Sequence, residues 1–215
     1  AGGDDDDDDD AKFDLGTPAK VRNMPYTCVI DRPDLQETLL SRINHNVRNG
    51  AAISSYEYEK DGTVTAANAS GINDGAGAMV MTTAAVAEAR GLQPIGRLIA
   101  GAAVGVEPKY MGIGPVAAIR KALERANMSI GEMDLIEINE AFSSQYLACE
   151  KVLEIDRSIT NVNSGGVAIG HPLAASGTRI TTHLIYELKR RGKKYGVGSA
   201  CIGGGQGIAV VVEAF

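Results

Sequence analysis

Tryptophan is absent from this chain of 215 residues, and aromatic residues make up only 5% of it. A core must therefore be filled by aliphatic and small side chains, which a 44% hydrophobic fraction and 26 glycines supply. That composition suits an α/β protein packed with Ala, Gly, Val and Ile. Cysteine is scarce too: Cys28, Cys149 and Cys201 are too few and too scattered for a disulfide framework or a paired-cysteine metal site. Free thiols point to a reducing, intracellular setting, cytoplasmic or mitochondrial. No apolar run approaches the roughly 20 residues that span a bilayer, so no membrane span is expected. The start of the chain does not read as a signal peptide.

A charge excess of one sign is also missing once a single run is set aside. The formal net charge is −6, but Asp4 to Asp10 supply seven of the 27 acidic residues, against 21 basic ones. The remaining body is close to neutral, which excludes the basic field of a nucleic-acid binder. A run of like charges is ordinarily solvated, so residues 1–20 read as an acidic flexible leader.

Residues 21–60 carry little signal beyond one amphipathic pattern. Leu35, Leu39, Leu40, Ile43 and Val47 fall at helical spacing before Asn49 and Gly50, and predict one helix without a function. From Asp61 the organisation sharpens. A short strand is expected over 63–66, turn formers over 68–75, a small-residue strand over 76–81, and a helix over 84–90 closed by Gly91. A strand over 95–104 follows. A helix begins near Gly114 and Pro115, with Val116, Ile119, Leu123 and Ala126 on one face.

Ser129 and Glu132 have capping-box spacing. Beyond them a strand is expected over 134–138, a helix over 140–153 and a helix over 175–191 that ends in Lys189, Arg190 and Arg191, where cations suit the helix dipole. Strands over 195–200 and 208–212 close the chain. The order β-α-β-α-β-β with apolar central strands argues a layered α/β sheet with helices packed on it.

Three short motifs carry chemistry. Asn139 and Glu140 stand between a strand end and a helix start, where α/β proteins aim polar groups into a site; a helix-capping asparagine is the plainer reading. His171 is delivered by the glycine-rich turn Asn161 to Gly170 and is followed by Pro172. Its plain alternative is a histidine that caps or packs locally. Cys201 ends a strand and precedes Gly203, Gly204 and Gly205, whose backbone N–H groups can approach a ligand without Cβ interference. Its alternative is a small buried hydrophobe. Read alone, His171 and Cys201 suggest an imidazole and a thiol converging on one reacting group.

Taken together and in order, these segments resemble the C-terminal half of the thiolase family, the acyl-CoA acetyltransferases. The resemblance covers Asp61 to Glu213 and rests on Asp61 to Ala66, Asn68 to Gly71, Met111 to Pro115, Asn139 to Phe142, Gly170 to Pro172 and Cys201 to Gly205. It implies a thiolase-like layered α/β fold: a C-terminal βαβαββ domain over 94–215 plus a fragment of the N-terminal domain sheet over 61–93. Within 21–60, Arg32 to Asp34 faintly resembles the end of the family's loop domain.

The implied activity is the Claisen condensation of acyl-CoA thioesters, or thiolysis of 3-oxoacyl-CoA. Coenzyme A thioester is then substrate, and no cofactor or metal is needed. By position, His171 would activate a nucleophilic thiol and help bind a thioester oxygen, with Asn139 holding a water in the same oxyanion hole. Cys201 would remove the α-proton, Gly203 N–H would serve a second oxyanion hole, and Ser70 would contact the pantetheine arm. The family's nucleophile, a Cys-x-Ser-Gly at a helix start, is not found here. Cys28 does not replace it, since no glycine follows and Arg32 and Pro33 stand where a helix should run.

The expectation is therefore a thiolase part that needs a second thiolase polypeptide carrying the nucleophilic cysteine, in an oligomeric assembly. A catalytically inactive thiolase-derived binding or scaffolding subunit is the alternative. A metal or redox site built on Cys201 and His171 has the least support, because no further Cys, His or Asp pair stands at ligand spacing.

Overall fold

The computed structural model describes Val64 and residues 68–215. The helix expected over 34–47 lies outside the described residues, as does the strand over 63–66 apart from Val64. The elements are α1 (Ala84–Ala89), β1 (Gly96–Gly105), α2 (Gly114–Ala126), β2 (Leu135–Ile138), α3 (Ser143–Leu153), α4 (Gly166–Ile169), α5 (Ser176–Arg191), β3 (Tyr195–Ile202) and β4 (Gln206–Ala214). The strands form one mixed sheet in the order β1-β4-β3-β2. β4 runs antiparallel to both β1 and β3, while β2 and β3 are parallel. Three helices rather than one separate β2 from β3, because the crossover must carry the long Gly/Asn turn as well as cover the sheet.

Alternation along the strands divides the core between the two faces of the sheet. Ile136, Ile138, Val197, Ala209 and Val211 pack with Val116, Ile119 and Leu123 of α2 and with Cys149 and Leu153 of α3. Leu135, Val212 and Ala214 pack with Ile180, Leu184, Ile185 and Leu188 of α5. Ile119 and Leu188 are fully buried, and each such side chain contributes about 1.5–3 kcal/mol. A Cβ on Gly198 would lie 2.7 Å from Ile180 Cγ2, so glycine at this point lets α5 seat directly on β3.

Local chemistry explains the helix ends. Pro115 stands in the first turn of α2, and Asn127 in left-handed conformation (φ 54) closes it on Leu123 and Glu124 carbonyls. Gly192 (φ 63) closes α5 in the same way. Ser129 N–H donates to Glu132 Oε2 at 2.7 Å as the capping spacing predicts, although the element capped is a single 3-10 turn over Ile130–Glu132.

Two expectations fail for physical reasons. Residues 76–81 have no regular secondary structure and belong to no ladder, and Val80 is 80% exposed. A strand needs a neighbour for its N–H and C=O groups, and among the described residues none adjoins this one. The helix expected from Glu140 begins only at Ser143, because residues 139–143 are engaged elsewhere. Ser70 N–H donates to Ala141 O (2.9 Å), and Ser143 N–H to Asn68 O (2.8 Å), so the turn after β2 pairs with residues 68–70.

Candidate active site

The site lies beyond the C-terminal ends of the parallel strands β2 and β3, the usual place for a ligand in an α/β sheet. Ladder pairing runs up to its edge: Ile138 is opposite Ser199, and Asn139 N–H donates to Ser199 O at 2.8 Å. Asn139 thus leaves β2 beside the strand that delivers Cys201 two residues later.

Asn139 is completely buried, and its side chain caps nothing. The residue before α3 is Phe142, which offers the helix no side-chain bond. The Nδ2 of Asn139 instead faces His171 Nε2 at 3.3 Å, and its Oδ1 is buried without a partner. A buried unpaired acceptor costs about 1–3 kcal/mol, and groups of this kind concentrate where a ligand completes the bonding.

An amide nitrogen only donates, so His171 Nε2 accepts in this contact and the proton sits on Nδ1. Nδ1–H is 2.6 Å from Ser176 Oγ, whose own hydroxyl reaches Pro172 O at 3.2 Å. The ring is therefore held at both nitrogens. Burial, aided by the positive charge of Arg179, pushes the His171 pKa below its ordinary value and keeps the imidazole neutral. Ser176 was not foreseen from sequence; its position in the first turn of the helix after Gly170 to Pro172 was the available signal.

The turn that carries His171 is under conformational tension. Asn161 (φ 46), Ser164 (φ 75) and Gly170 (φ 87) all lie in the left-handed region within ten residues. Such positions persist only where surrounding bonds over-determine them. Asn161 supplies several: its Oδ1 accepts from Ile138 N–H, and its Nδ2 donates to Ile138 O and to Glu140 Oε1, each at 2.9 Å. His171 N–H donates to Gly71 O at 2.9 Å, which ties the ring's backbone to the segment bearing Ser70. Ser70 itself is pinned by Oγ to Ala141 O at 3.1 Å.

Behind the turn, the buried Glu137 of β2 is clamped between Arg179 and His183 of α5. His183 Nε2 in turn meets Asn163 Nδ2 at 3.0 Å.

Cys201 arrives by a simpler route. It is paired with Gly207 inside the β3–β4 hairpin and is 8% exposed. Burial raises its thiol pKa. No hydrogen bond joins it to Asn139 or His171. The hairpin turn closes through Gly204 (φ 84) and Gly205 (φ 86), and a Cβ at Gly205 would lie 2.4 Å from Val106 O. At Gly203, by contrast, nothing stands within 4 Å of where a side chain would be, so its backbone faces open space.

Cys149 is a different kind of thiol. It is fully buried against Gly112 O, and burial pushes its pKa up to about 11. It has neither the access nor the ionisation of a nucleophile. Among the described residues no group of three His, Cys, Asp or Glu side chains is placed to hold a metal ion, and no helix is long and apolar enough to cross a membrane.

Known proteins of one family match this chain. Residues 92–214 match the thiolase C-terminal domain and residues 49–85 the thiolase N-terminal domain. The chain is 56% identical over 156 residues to the mitochondrial 3-ketoacyl-CoA thiolase of Bos taurus, covering 73% of this chain and 39% of that protein. It is 52% identical over 172 residues to the acetyl-CoA acetyltransferase of Shinella zoogloeoides, covering 78% and 44%.

Among solved structures, the acetyl-CoA acetyltransferase of Bacillus anthracis superposes with a TM-score of 0.70 at 53% identity over 73% of this chain and 40% of that one. Human mitochondrial 3-ketoacyl-CoA thiolase in complex with CoA gives 0.67 at 48% identity, over 74% and 40%. The chain thus spans well under half the length of these relatives.

Proposed function

This chain belongs to the thiolase family, and on that premise we propose that it forms the C-terminal part of an acyl-CoA acyltransferase working by Claisen condensation or its reverse, thiolysis of 3-oxoacyl-CoA. The observation that carries the proposal is the buried Asn139 amide facing a neutral His171 held at both ring nitrogens.

In the condensing direction His171 takes the proton of a nucleophilic thiol, which attacks an acyl thioester and expels the first coenzyme A. A neutral imidazole is what this step requires. Cys201 gives its thiol proton to the departing coenzyme A sulfur and, now a thiolate, takes a proton from the α-carbon of a second acyl-CoA. The resulting enolate forms a C–C bond to the acyl carbonyl carbon as that carbon's bond to the nucleophile's sulfur breaks, and the electron pair leaves on that sulfur. Cys201 returns a proton when the reaction runs backwards. Asn139 with His171, whose Nε2 carries a proton once it has taken that of the thiol, and the N–H of Gly203 supply the dipoles that thioester oxygens need as charge develops. Ser70 stands beside the Asn139–His171 turn, where it would contact the pantetheine arm.

The nucleophile belongs to a second thiolase polypeptide, either a separate subunit or the remaining part of a longer chain. Cys149 is unfit for the role, and the relatives carry more than twice the length aligned here. An apolar groove of about 520 Å³, lined by Met79, Met81, Leu92, Ile95, Ile185 and Phe215, supports this reading. Residues 78–82 line it, and among the described residues 76–82 have no sheet partner. Unpaired edges and exposed apolar side chains of this kind require cover, and the rest of a thiolase N-terminal domain is the matching occupant. An oligomeric assembly in an intracellular compartment, cytoplasmic or mitochondrial, completes the proposal; several relatives are named as mitochondrial.

The test is reconstitution. The isolated chain should not thiolyse acetoacetyl-CoA, and adding a thiolase N-terminal polypeptide with its Cys-x-Ser-Gly should restore turnover that Cys201→Ala removes. Turnover by the isolated chain would overturn the need for a partner. A native assembly whose function is indifferent to Cys201→Ala and His171→Ala would instead identify a binding or scaffolding subunit.

A further inference from the structure

Glu140 follows Asn139 directly, yet its carboxylate does not face the reacting groups. Its Oε1 accepts from Asn161 Nδ2 at 2.9 Å and its Oε2 from Val167 N–H at 3.3 Å. These two contacts bracket the strained turn that leads to His171, with Asn161 at its entrance and Val167 at its exit. Between them the backbone lies directly on the carboxylate. A Cβ on Gly165 would fall 2.2 Å from Glu140 Cδ, and one on Gly166 would fall 2.8 Å from Glu140 O and 3.3 Å from Asn139 Oδ1. Both glycines are thus explained by the close approach of the turn to residues 139 and 140.

From this point the connection to His171 is short and hydrogen-bonded throughout. Ile169 N–H donates to Gly165 O at 3.1 Å and Gly170 N–H to Gly166 O at 2.9 Å. A displacement of Gly165 or Gly166 must therefore be passed on to Gly170 and to the imidazole that follows it. One end of the Asn139–His171 contact is the residue before Glu140, and the other is carried by the segment that Glu140 holds. The left-handed conformations of Asn161 and Ser164 are unfavourable for residues with a side chain, so the turn has a standing tendency to relax if its restraint is removed.

We propose that Glu140 is a positioning residue for the Asn139–His171 pair, setting their separation and the burial of the imidazole through Asn161 and the Gly165–Val167 backbone. It rests on the reading of His171 as the site's functional imidazole, and it adds a residue that touches neither substrate nor reacting atoms. A carboxylate is required because both neighbours donate. An amide in its place would accept from one and present N–H to the other.

The test uses the full chain labelled at its histidines, with imidazole titrations followed by NMR and His171 assigned by substitution. Wild-type His171 should titrate below the ordinary imidazole value, because it is buried. In Glu140→Gln the turn relaxes and the ring hydrates, so its midpoint should rise towards the ordinary imidazole value. Glu140→Asp, which draws the carboxylate back by one methylene, should give a smaller rise. A folded Glu140→Gln whose His171 titrates as in wild type would overturn the proposal.

Should neither variant fold, hydrogen exchange of the Val167 amide in the wild-type chain decides, since exchange at the unprotected rate would show that no carboxylate holds it. In the reconstituted assembly Glu140→Gln should lower kcat about 10-fold or more with KM for acyl-CoA little changed, as expected for misplacement of a transition-state group. A shifted titration in an assembly with no acyl transfer under any condition would sink the thiolase reading while leaving the positioning role intact.

Discussion

The two arms of the site are built from different materials. Cys201 sits inside a β-hairpin whose ladder continues from Tyr195↔Glu213 to Ile202↔Gln206 without a break. Its position follows from backbone pairing and from the glycine turn, and no polar side chain is needed to hold it. His171 hangs from a turn with three left-handed residues, and side-chain bonds from Asn161, Glu140 and Ser176 hold it in place. A ladder is cooperative and hard to move locally, whereas a turn fixed by individual polar contacts yields when one is lost. The hairpin arm should therefore show chemical defects without structural ones, and the turn arm should show both together.

On the proposed function, the largest effects will come from the groups assigned to the reaction. In the reconstituted enzyme Cys201→Ala should lower the condensation rate by about 10²–10⁴, the range for loss of a general acid/base, with the thermal midpoint little changed. His171→Ala should cost at least as much, and Asn139→Ala about 10²–10³, as for an oxyanion donor. An unfolded Cys201→Ala would contradict the view that its arm rests on backbone pairing alone.

Next in size is a pair of glycine substitutions, one on each arm. Gly165→Ala forces a methyl into the Glu140 carboxylate and should destabilise the fold by about 1–3 kcal/mol in urea melts. Gly203→Ala meets nothing and should stay within about 0.5 kcal/mol of wild type. Equal losses at both positions would erase the contrast between the arms.

The two groups should also titrate in opposite directions from their ordinary values. His171 is pushed down by burial, so it should remain neutral, and competent as a base, at pH values below the ordinary imidazole pKa. Cys201 is pushed up by burial, so its alkylation by iodoacetamide should accelerate only above the ordinary thiol value of about 8.5. A Cys201 that alkylates fastest near neutrality would require a cationic neighbour that the geometry does not show.

The smallest effect concerns acid stability. Glu187 is buried on α5 with Arg190 and Arg191, and bonds from Arg190 first hold its pKa down to about 2 from 4.5; Asn163 of the turn also bonds to it. A depressed carboxylate stabilises the fold fully above pH 4.5 and loses that contribution as pH falls towards about 2. Glu187→Gln should therefore flatten the stability loss over this window and leave the Cys201 hairpin unaffected. An unchanged acid limb would show that Glu187 carries no such linkage.

Much of this could be read from the amino-acid order. The 3.6-residue periodicity of Val116, Ile119 and Leu123, and that of Ile180, Leu184 and Leu188, located α2 and α5, because each helix buries a single face against the sheet. The motifs around Asn139, His171 and Cys201 were visible because glycine and proline punctuate them. Residues 76–81 misled for a definite reason: their small apolar side chains suit a strand, but a strand is a property of two segments, and its neighbour is not among the described residues. The helix start was misplaced at Glu140 because propensity does not register that residues 139–143 are held by 68–70.

What the sequence by itself determined is local: where helices can cap, which faces are apolar, and which turns can bear a left-handed residue. Each of these depends on a side chain and its near neighbours along the chain. Only the tertiary structure decided that Asn139 turns inward to His171 instead of capping α3, that Ser176 and Glu140 hold the imidazole arm, and that Cys149 is inert while Cys201 borders open backbone. Most of those outcomes are set by groups some 20 to 40 residues apart, such as Asn139 with His171 and Glu140 with Asn161, that meet when β2, β3 and α5 pack together, and a one-dimensional pattern does not carry the distances between them.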